Sequence, residues 1–231
     1  MYRQFLQNRI NYGKNAFSMR HIGLSDSFPG VEIDPSMGWF RSTYHYARRI
    51  FQAQSLKSTA WVAPMRQEFL EQYIKLNQAM MHKSPQMLDL TMEAYQDEAI
   101  ALARNREADH LYIWNFHREV TPTRILSLRA GDGDFDKEMP ETGSRIGIQA
   151  LVRFDTEQSV EIYDRQGKAL HTPLLAAEPQ PPRLGKTLHR VTAAPKRVTE
   201  YLILDKAMYL TDAKWRFRAR LVPTPGRTVA V

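Results

Sequence analysis

The chain has 231 residues, 43% hydrophobic and 25% charged, the balance of an ordinary globular protein rather than a disordered or fibrous one. It contains no cysteine, which excludes disulfides, thiolate metal sites and cysteine nucleophiles, and no apolar run near the roughly 20 residues that span a bilayer as a helix. The formal charge of +7 sits at the ends: residues 1–58 hold eight Lys/Arg against three acids and 183–231 eleven against three, leaving thirteen against nineteen, or −6, between them.

Two basic ends around an acidic centre fit a polyanionic partner, either RNA or anionic lipid, against the plainer reading of unevenly spread surface charge. The start lacks the apolar core and small-residue cleavage site of a secretory signal. Met1 to about Pro35 mixes aromatic and basic residues with Gly and Pro and has no sustained period. Arg3, Arg9, Lys14 and Arg20, interleaved with Phe5, Tyr12 and Phe17, read as an arm that orders on a partner, because cations pair phosphates and rings stack or anchor. The alternative is a strap packed on its own domain. From Met37 to about Leu56 the spacing of Phe40, Tyr44, Ala47 and Phe51 predicts a helix, with Arg41, Arg48 and Arg49 on its other faces. Such a basic amphipathic helix docks on RNA, on a membrane or on the rest of the protein.

Two further helices follow. Pro64 opens the first, with Phe69, Tyr73, Leu76 and Met80 at three- and four-residue steps. Ser84-Pro85 is the start signal of the second, whose face is marked by Leu88, Met92, Tyr95, Ala99 and Leu102, a methionine-rich stripe that reads as core. After about Ala108 the period changes to two. Leu111 to Phe116 and Arg124 to Leu128 read as strands separated by Thr121-Pro122, and Gly131-Asp132-Gly133-Asp134 as a turn, without the ligand spacing of a calcium loop. Arg145 to Thr156 and Ser159 to Tyr163 are the longest predicted strands, turning at Asp164-Arg165-Gln166-Gly167 into Lys168 to His171. Pro173 to Pro182 is too rich in proline for a ladder or a helix and reads as a surface loop. Val198 to Met208 and Trp215 to Val222 complete the sheet, giving an α+β domain with helices on one sheet face.

Four motifs in that sheet lie in a familiar order. They are Val152-Arg153-Phe154-Asp155-Thr156-Glu157-Gln158, then Tyr163-Asp164-Arg165-Gln166-Gly167, then Glu200-Tyr201 with Lys206, then Trp215-Arg216. Together they resemble the mitochondrial large-subunit ribosomal protein L-forty-five family, whose fungal counterpart is an inner-membrane ribosome receptor. The shared domain is that of translocase subunit forty-four. The resemblance covers roughly residues 60–224. It implies a nuclear-transport-factor-like cone, with N-terminal helices packed on a curved antiparallel sheet, preceded here by the basic N-terminal extension. The implied organisation is a basic arm and amphipathic helix over 1–58, the α+β domain over 59–224 and a tail over 225–231. The implied partners are mitochondrial large-subunit rRNA and neighbouring ribosomal proteins near the polypeptide exit, with peripheral contact to the inner membrane and its insertion machinery. The implied location is the matrix side of that membrane. The sequence departs from the family pattern in a long 173–197 loop and in its end soon after Pro223-Thr224-Pro225.

Alternation predicts Trp215 and Phe217 towards the core and Arg216, Arg218 and Arg220 together on the opposite face, a ladder able to track phosphates or lipid headgroups. Its alternative is an edge paired to acids of the neighbouring strand. With Arg3, Arg9, Lys14, Arg20, Arg41, Arg48 and Arg49 these three make up the candidate RNA- or headgroup-binding set. His110, His117 and Asp155 are the candidates for an acid–base site in a cone-shaped pocket, but no Ser-His-Asp order, zinc-ligand spacing or phosphate loop accompanies them. No enzymatic activity, cofactor, metal or small-molecule substrate is expected. The competing binding reading is a peripheral inner-membrane adaptor of protein import.

Overall fold

The computed structural model describes Lys14 and residues 36–132, 145–174, 190–211 and 213–222. Among the described residues from Ser36 on, four helices precede four strands: α1 (Trp39–Gln52), α2 (Ala63–Met81), α3 (Gln86–Leu90), α4 (Glu93–Arg104), β1 (Leu111–Asp132), β2 (Ile146–Tyr163), β3 (Lys196–Ala207) and β4 (Arg216–Leu221). The strands form one open antiparallel sheet in the order β1-β2-β3-β4. The class is therefore α+β, as the order of periods predicts.

Helix α2 starts with Pro64 in its first turn, where the missing N–H has no intrahelical partner to lose. Its predicted stripe is its buried face: Phe69, Tyr73, Leu76 and Met80, joined by Met65. The helix expected after Ser84 behaves differently. Ser84 Oγ does accept the Gln86 N–H at 3.3 Å, but the helix ends at Leu90 and a new one begins at Glu93. The break arises because Thr91 and Met92 turn extended to join β4. Thr91 bridges Phe217, and the Met92 N–H donates to the Phe217 carbonyl at 2.9 Å. The break also rotates the buried stripe. Met87, Tyr95, Ala99 and Ala103 face inwards, while the expected Leu88 and Leu102 are 43% and 45% exposed.

The sheet is simpler than the sequence predicts. The two strands expected on either side of Thr121-Pro122 are one 22-residue strand. Register shifts at Glu119/Thr121 and Thr121/Arg124 interrupt the ladder around Pro122, so its lack of an N–H falls where pairing is already broken. Arg145 to Thr156 and Ser159 to Tyr163 likewise fuse into β2. The tight turn after β2 forms as expected. Asp164 Oδ1 accepts the N–H groups of Gln166 at 2.9 Å and Lys168 at 2.8 Å, and Gly167 takes φ 76°. Lys168 to His171 returns only as a bridge from Ala169 to Tyr163. The expected loops at 133–144 and 175–182 lie outside the described residues, as do the tail and, Lys14 apart, the N-terminal arm.

On β2, Ile148, Ala150, Val152 and Phe154 face the helices and are buried with Leu202 and Leu204 of β3 and Phe217 of β4. Phe154 stacks on Tyr73 at 4.5 Å, and Phe69 meets Trp215 edge-on at 4.9 Å. Trp215 and Phe217 thus take the inward positions that alternation assigned them. A polar string crosses this layer. The Trp114 indole N–H donates to Gln158, Gln158 Nε2 donates to the Tyr73 oxygen at 3.2 Å, and the Tyr73 hydroxyl donates to Glu200 Oε2 at 2.5 Å. Burial, then the Glu200 carboxylate, raises the Tyr73 phenol far above its ordinary value, so it remains a neutral donor.

Tyr73→Phe keeps the ring stack but removes the hydroxyl shared by Gln158 and Glu200. The expected loss is about 1–3 kcal/mol of unfolding free energy, read as a lower urea midpoint at unchanged slope.

Candidate functional site

Among the described residues the sheet has one face under the helices and one without them, and the candidate binding chemistry lies at the end of the second. Cross-strand register sets Arg129, Gln149, Asp205 and Arg216 in a single row across all four strands. Two residues further along the strands, Gly131, Gly147 and Ala207 form the next row on the same face. Both rows line a cleft of about 570 Å³, closed by the β3–β4 connection and by Met92 and Glu93 at the start of α4. Among the described residues five cations line it, Arg129, Lys206, Lys214, Arg216 and Arg218, against the two acids Glu93 and Asp205. Both acids are held by one arginine. Arg218 reaches Asp205 at 2.6 Å and Glu93 at 2.7 Å. Asp205 first, and then Glu93, keep the Arg218 guanidinium charged above its ordinary value, against the opposing effect of burial. The described lining is therefore net cationic, with Lys214 and Arg216 exposed. A cleft of this size is in the range that small ligands occupy.

The three arginines of β4 do not share one face. A register shift at Ile203/Leu204 leaves Arg218 without a cross-strand partner, and strict alternation fails there. Arg216 lies opposite Asp205 on the face without helices, whereas Arg220 lies opposite the buried Leu202 on the helix side. Arg220 there pairs with Glu98 of α4 and approaches Glu200 at 3.7 Å. Of the expected ladder only Arg216 is without an acidic partner among the described residues.

Of the N-terminal set, Arg3, Arg9 and Arg20 lie outside the described residues, and Lys14 is exposed. Arg41 and Arg48 are exposed on α1, with no acidic partner among the described residues, while Arg49 is half-buried. The first half of α1 also exposes three rings: Trp39 is 72%, Phe40 83% and Tyr44 65% accessible. The C-terminal end of α1 is held to the rest of the chain. The Trp61 indole donates to the Arg49 carbonyl at 3.1 Å, and Gln54 Nε2 donates to the Leu126 carbonyl at 2.7 Å. Helix α1 thus carries three arginines, no acid and three exposed rings on a tethered base.

The acid–base candidates are separated. Asp155 accepts from Arg197 at 2.8 Å, Arg153 at 2.9 Å, Thr121 at 2.8 Å and Thr199 at 3.2 Å. The Arg197 hydrogen bonds, against opposing burial and with help from Thr121 and Thr199, hold its carboxyl well below the usual carboxylate range. His117 meets Ser159 at 2.9 Å, four residues or about 13 Å further along β2. His110 lies before β1, beside Glu107 at 3.1 Å. Asp155 is a structural ion held by donors on three strands. No protein-family model matches the chain.

The cleft residues Arg129, Lys206 and Lys214 escaped the sequence reading because they are scattered over β1, β3 and the β3–β4 connection. Only strand register brings them together.

Three variants test these assignments. Arg216→Ala should leave stability within about 0.5 kcal/mol of wild type and weaken heparin binding with a shallower salt dependence. Arg218→Ala, which strands Asp205 and Glu93, should lower unfolding free energy by about 1–2 kcal/mol. Asp155→Asn should lower it by about 1–3 kcal/mol at pH 7, less than for a fully buried pair because Arg197 and Arg153 retain water. A depressed carboxyl stabilises above its unfolded value and loses that contribution as pH falls towards its folded value. The wild-type and Asp155→Asn urea midpoints should therefore converge below about pH 4.

Proposed function

We propose that the chain is a non-enzymatic component of the mitochondrial large ribosomal subunit, seated near the polypeptide exit and touching the inner membrane. The observation that carries this reading is the set of exposed cations without acidic partners among the described residues: Arg41 and Arg48 on α1, and Lys214 and Arg216 at the cleft. Such groups release counterions from a phosphate-bearing surface on contact, the physical basis of rRNA binding. Neighbouring ribosomal proteins and the membrane insertion machinery are the partners this reading implies.

The four family-like motifs support it further. They fall in order on β2, the Asp164–Gly167 turn, β3 and the Trp215–Arg216 entry to β4, where Phe154, Tyr163, Trp215 and the Asp155 network hold the sheet together. In this reading the helices and sheet are the two layers of the nuclear-transport-factor-like cone. A second reading, a peripheral inner-membrane adaptor of protein import, is favoured by Trp39, Phe40 and Tyr44, because rings of this kind settle at the headgroup level of a bilayer.

Sucrose-gradient sedimentation of detergent-solubilised mitochondria separates the two. The ribosomal reading expects co-migration with the large subunit that survives moderate salt. Migration at the mass of the free chain, with recovery in the membrane fraction before solubilisation, would replace it with the import adaptor.

A further inference from the structure

Arg124 of β1 and Arg153 of β2 lie directly opposite each other on the face of the sheet without helices, and Tyr201 of β3 continues their row. Like charges in such a pair repel, because opposed side chains start only about 5 Å apart. The carboxylate beside them, Asp155, does not cancel the repulsion. It takes a single N–H from Arg153 at 2.9 Å and two from Arg197 at 2.8 Å, and the hydroxyls of Thr121 and Thr199 complete its shell. Two guanidiniums thus share one negative charge. Arg124, exposed beside them, has no acidic partner among the described residues. Arg153 commits one terminal nitrogen to Asp155, and its second has no partner among the described residues. Tyr201 is half-buried; among the described residues its hydroxyl makes no hydrogen bond and its ring meets no other ring. The row lies four residues of β2, about 13 Å, from the cleft row at Gln149.

We infer that Arg124 and Arg153 take a phosphodiester of an RNA strand between them, with an adjoining base against the Tyr201 ring, a proposal that rests on the RNA-binding reading above. A phosphate has the charge that the pair lacks, and its oxygens accept from two guanidiniums at once. Tyr201 stands one strand beyond Arg153, within the span of a single nucleotide. Stacking on a ring does not depend on which base is present, so the site fixes a strand rather than a sequence. Paired RNA offers its phosphates to Arg124 but no free base face to Tyr201. A bilayer is the poorer fit. It is engaged by apolar groups that project from a surface, whereas Leu151 and Ile203 in the neighbouring row are half-buried. In the free chain the arginine pair lowers stability, and a bound phosphate removes that effect. Neutralising Arg124 therefore moves stability and RNA binding in opposite directions.

The test is equilibrium binding of the full chain to a fluorescein-labelled single-stranded RNA 12-mer and to phosphatidylcholine vesicles containing cardiolipin, with the thermal midpoint of the free chain read at low and high salt. The variants are Arg124→Gln, which removes the unpaired charge, Tyr201→Leu, which removes the ring, and Tyr201→Phe, which keeps it. The proposal expects Arg124→Gln to weaken RNA binding about three- to ten-fold and to lower the slope of log affinity against log salt by about 0.7, the share of one phosphate on a single strand. The same variant should melt above wild type at low salt and converge with it near about 1 M salt, where the repulsion is screened. Tyr201→Leu should weaken RNA binding at least about five-fold at an unchanged salt slope, while Tyr201→Phe binds as wild type does. Should Tyr201→Leu lose its midpoint, the two readouts of Arg124→Gln still decide. An Arg124→Gln chain with wild-type RNA affinity overturns the proposal. So does one with no gain of midpoint at low salt, because the charge would then be neutralised within the chain. Wild-type affinity in a folded Tyr201→Leu chain overturns it as well. Loss of vesicle binding by Arg124→Gln with RNA binding intact also overturns it, and assigns the pair to a lipid headgroup. Arg124-dependent RNA binding by a chain that does not migrate with the large subunit supports this site and removes only the ribosomal reading. Migration with the large subunit, at an RNA affinity that Arg124→Gln leaves unchanged, removes only this site.

Discussion

The Tyr73 phenol fixes how the two layers meet. Apolar packing holds a helix on a sheet through many small contacts, none of them directional. A directional hydrogen bond does not slide. Tyr73 stacks on Phe154 of β2 and bonds to Glu200 of β3, while Gln158 relays the string to Trp114 of β1. Glu200 in turn stands beside Arg220 of β4, which pairs with Glu98 of α4. One polar thread therefore touches all four strands, α2 and α4, running from the buried Trp114, Gln158 and Tyr73 out to the solvent-accessible Arg220–Glu98 pair.

A second constraint decides what the other face offers. The register shift in β4 puts Arg220 on the helix side, where it completes that thread, and leaves Arg216 on the other face at the cleft. Arg218, between them, ties Asp205 and Glu93 together, so that the cleft's two acids share one cation. Glu93 is held at φ 49°, an uncommon conformation for a non-glycine residue, where the extended Thr91–Met92 segment turns back into α4. One irregularity in a six-residue strand thus links core, surface charge and the start of a helix.

Much of the architecture was legible because it depends on local period. The α2 stripe, the inward Trp215 and Phe217, and the Asp164–Gly167 turn all follow from spacing or from one residue's chemistry. What was not legible depends on distant partners. Nothing near Leu90 announces that Thr91 will bridge Phe217, so one predicted helix became two. Pro122 reads as a strand end unless the register shifts beside it are known. The β4 arginines looked like a ladder because alternation is assumed until a bulge interrupts it. The cleft was invisible for the same reason. Its row from Arg129 to Arg216 spans 87 positions of sequence and exists only through the pairing of four strands.

The irregularities of β1 and β4 have one more effect, since these are the two edges of an open sheet. An edge strand offers unpaired amides and carbonyls to any other strand, and a straight edge of 22 residues invites chain-to-chain addition. On β1 that edge is broken by Pro122 and four register shifts. On β4 it is short and bulged, is bridged by Thr91 at Phe217, and carries the exposed Arg216. Copies of the chain brought close together on a common surface would therefore resist stacking into a continuous β-ribbon, and the protein can be crowded without templating its own aggregation.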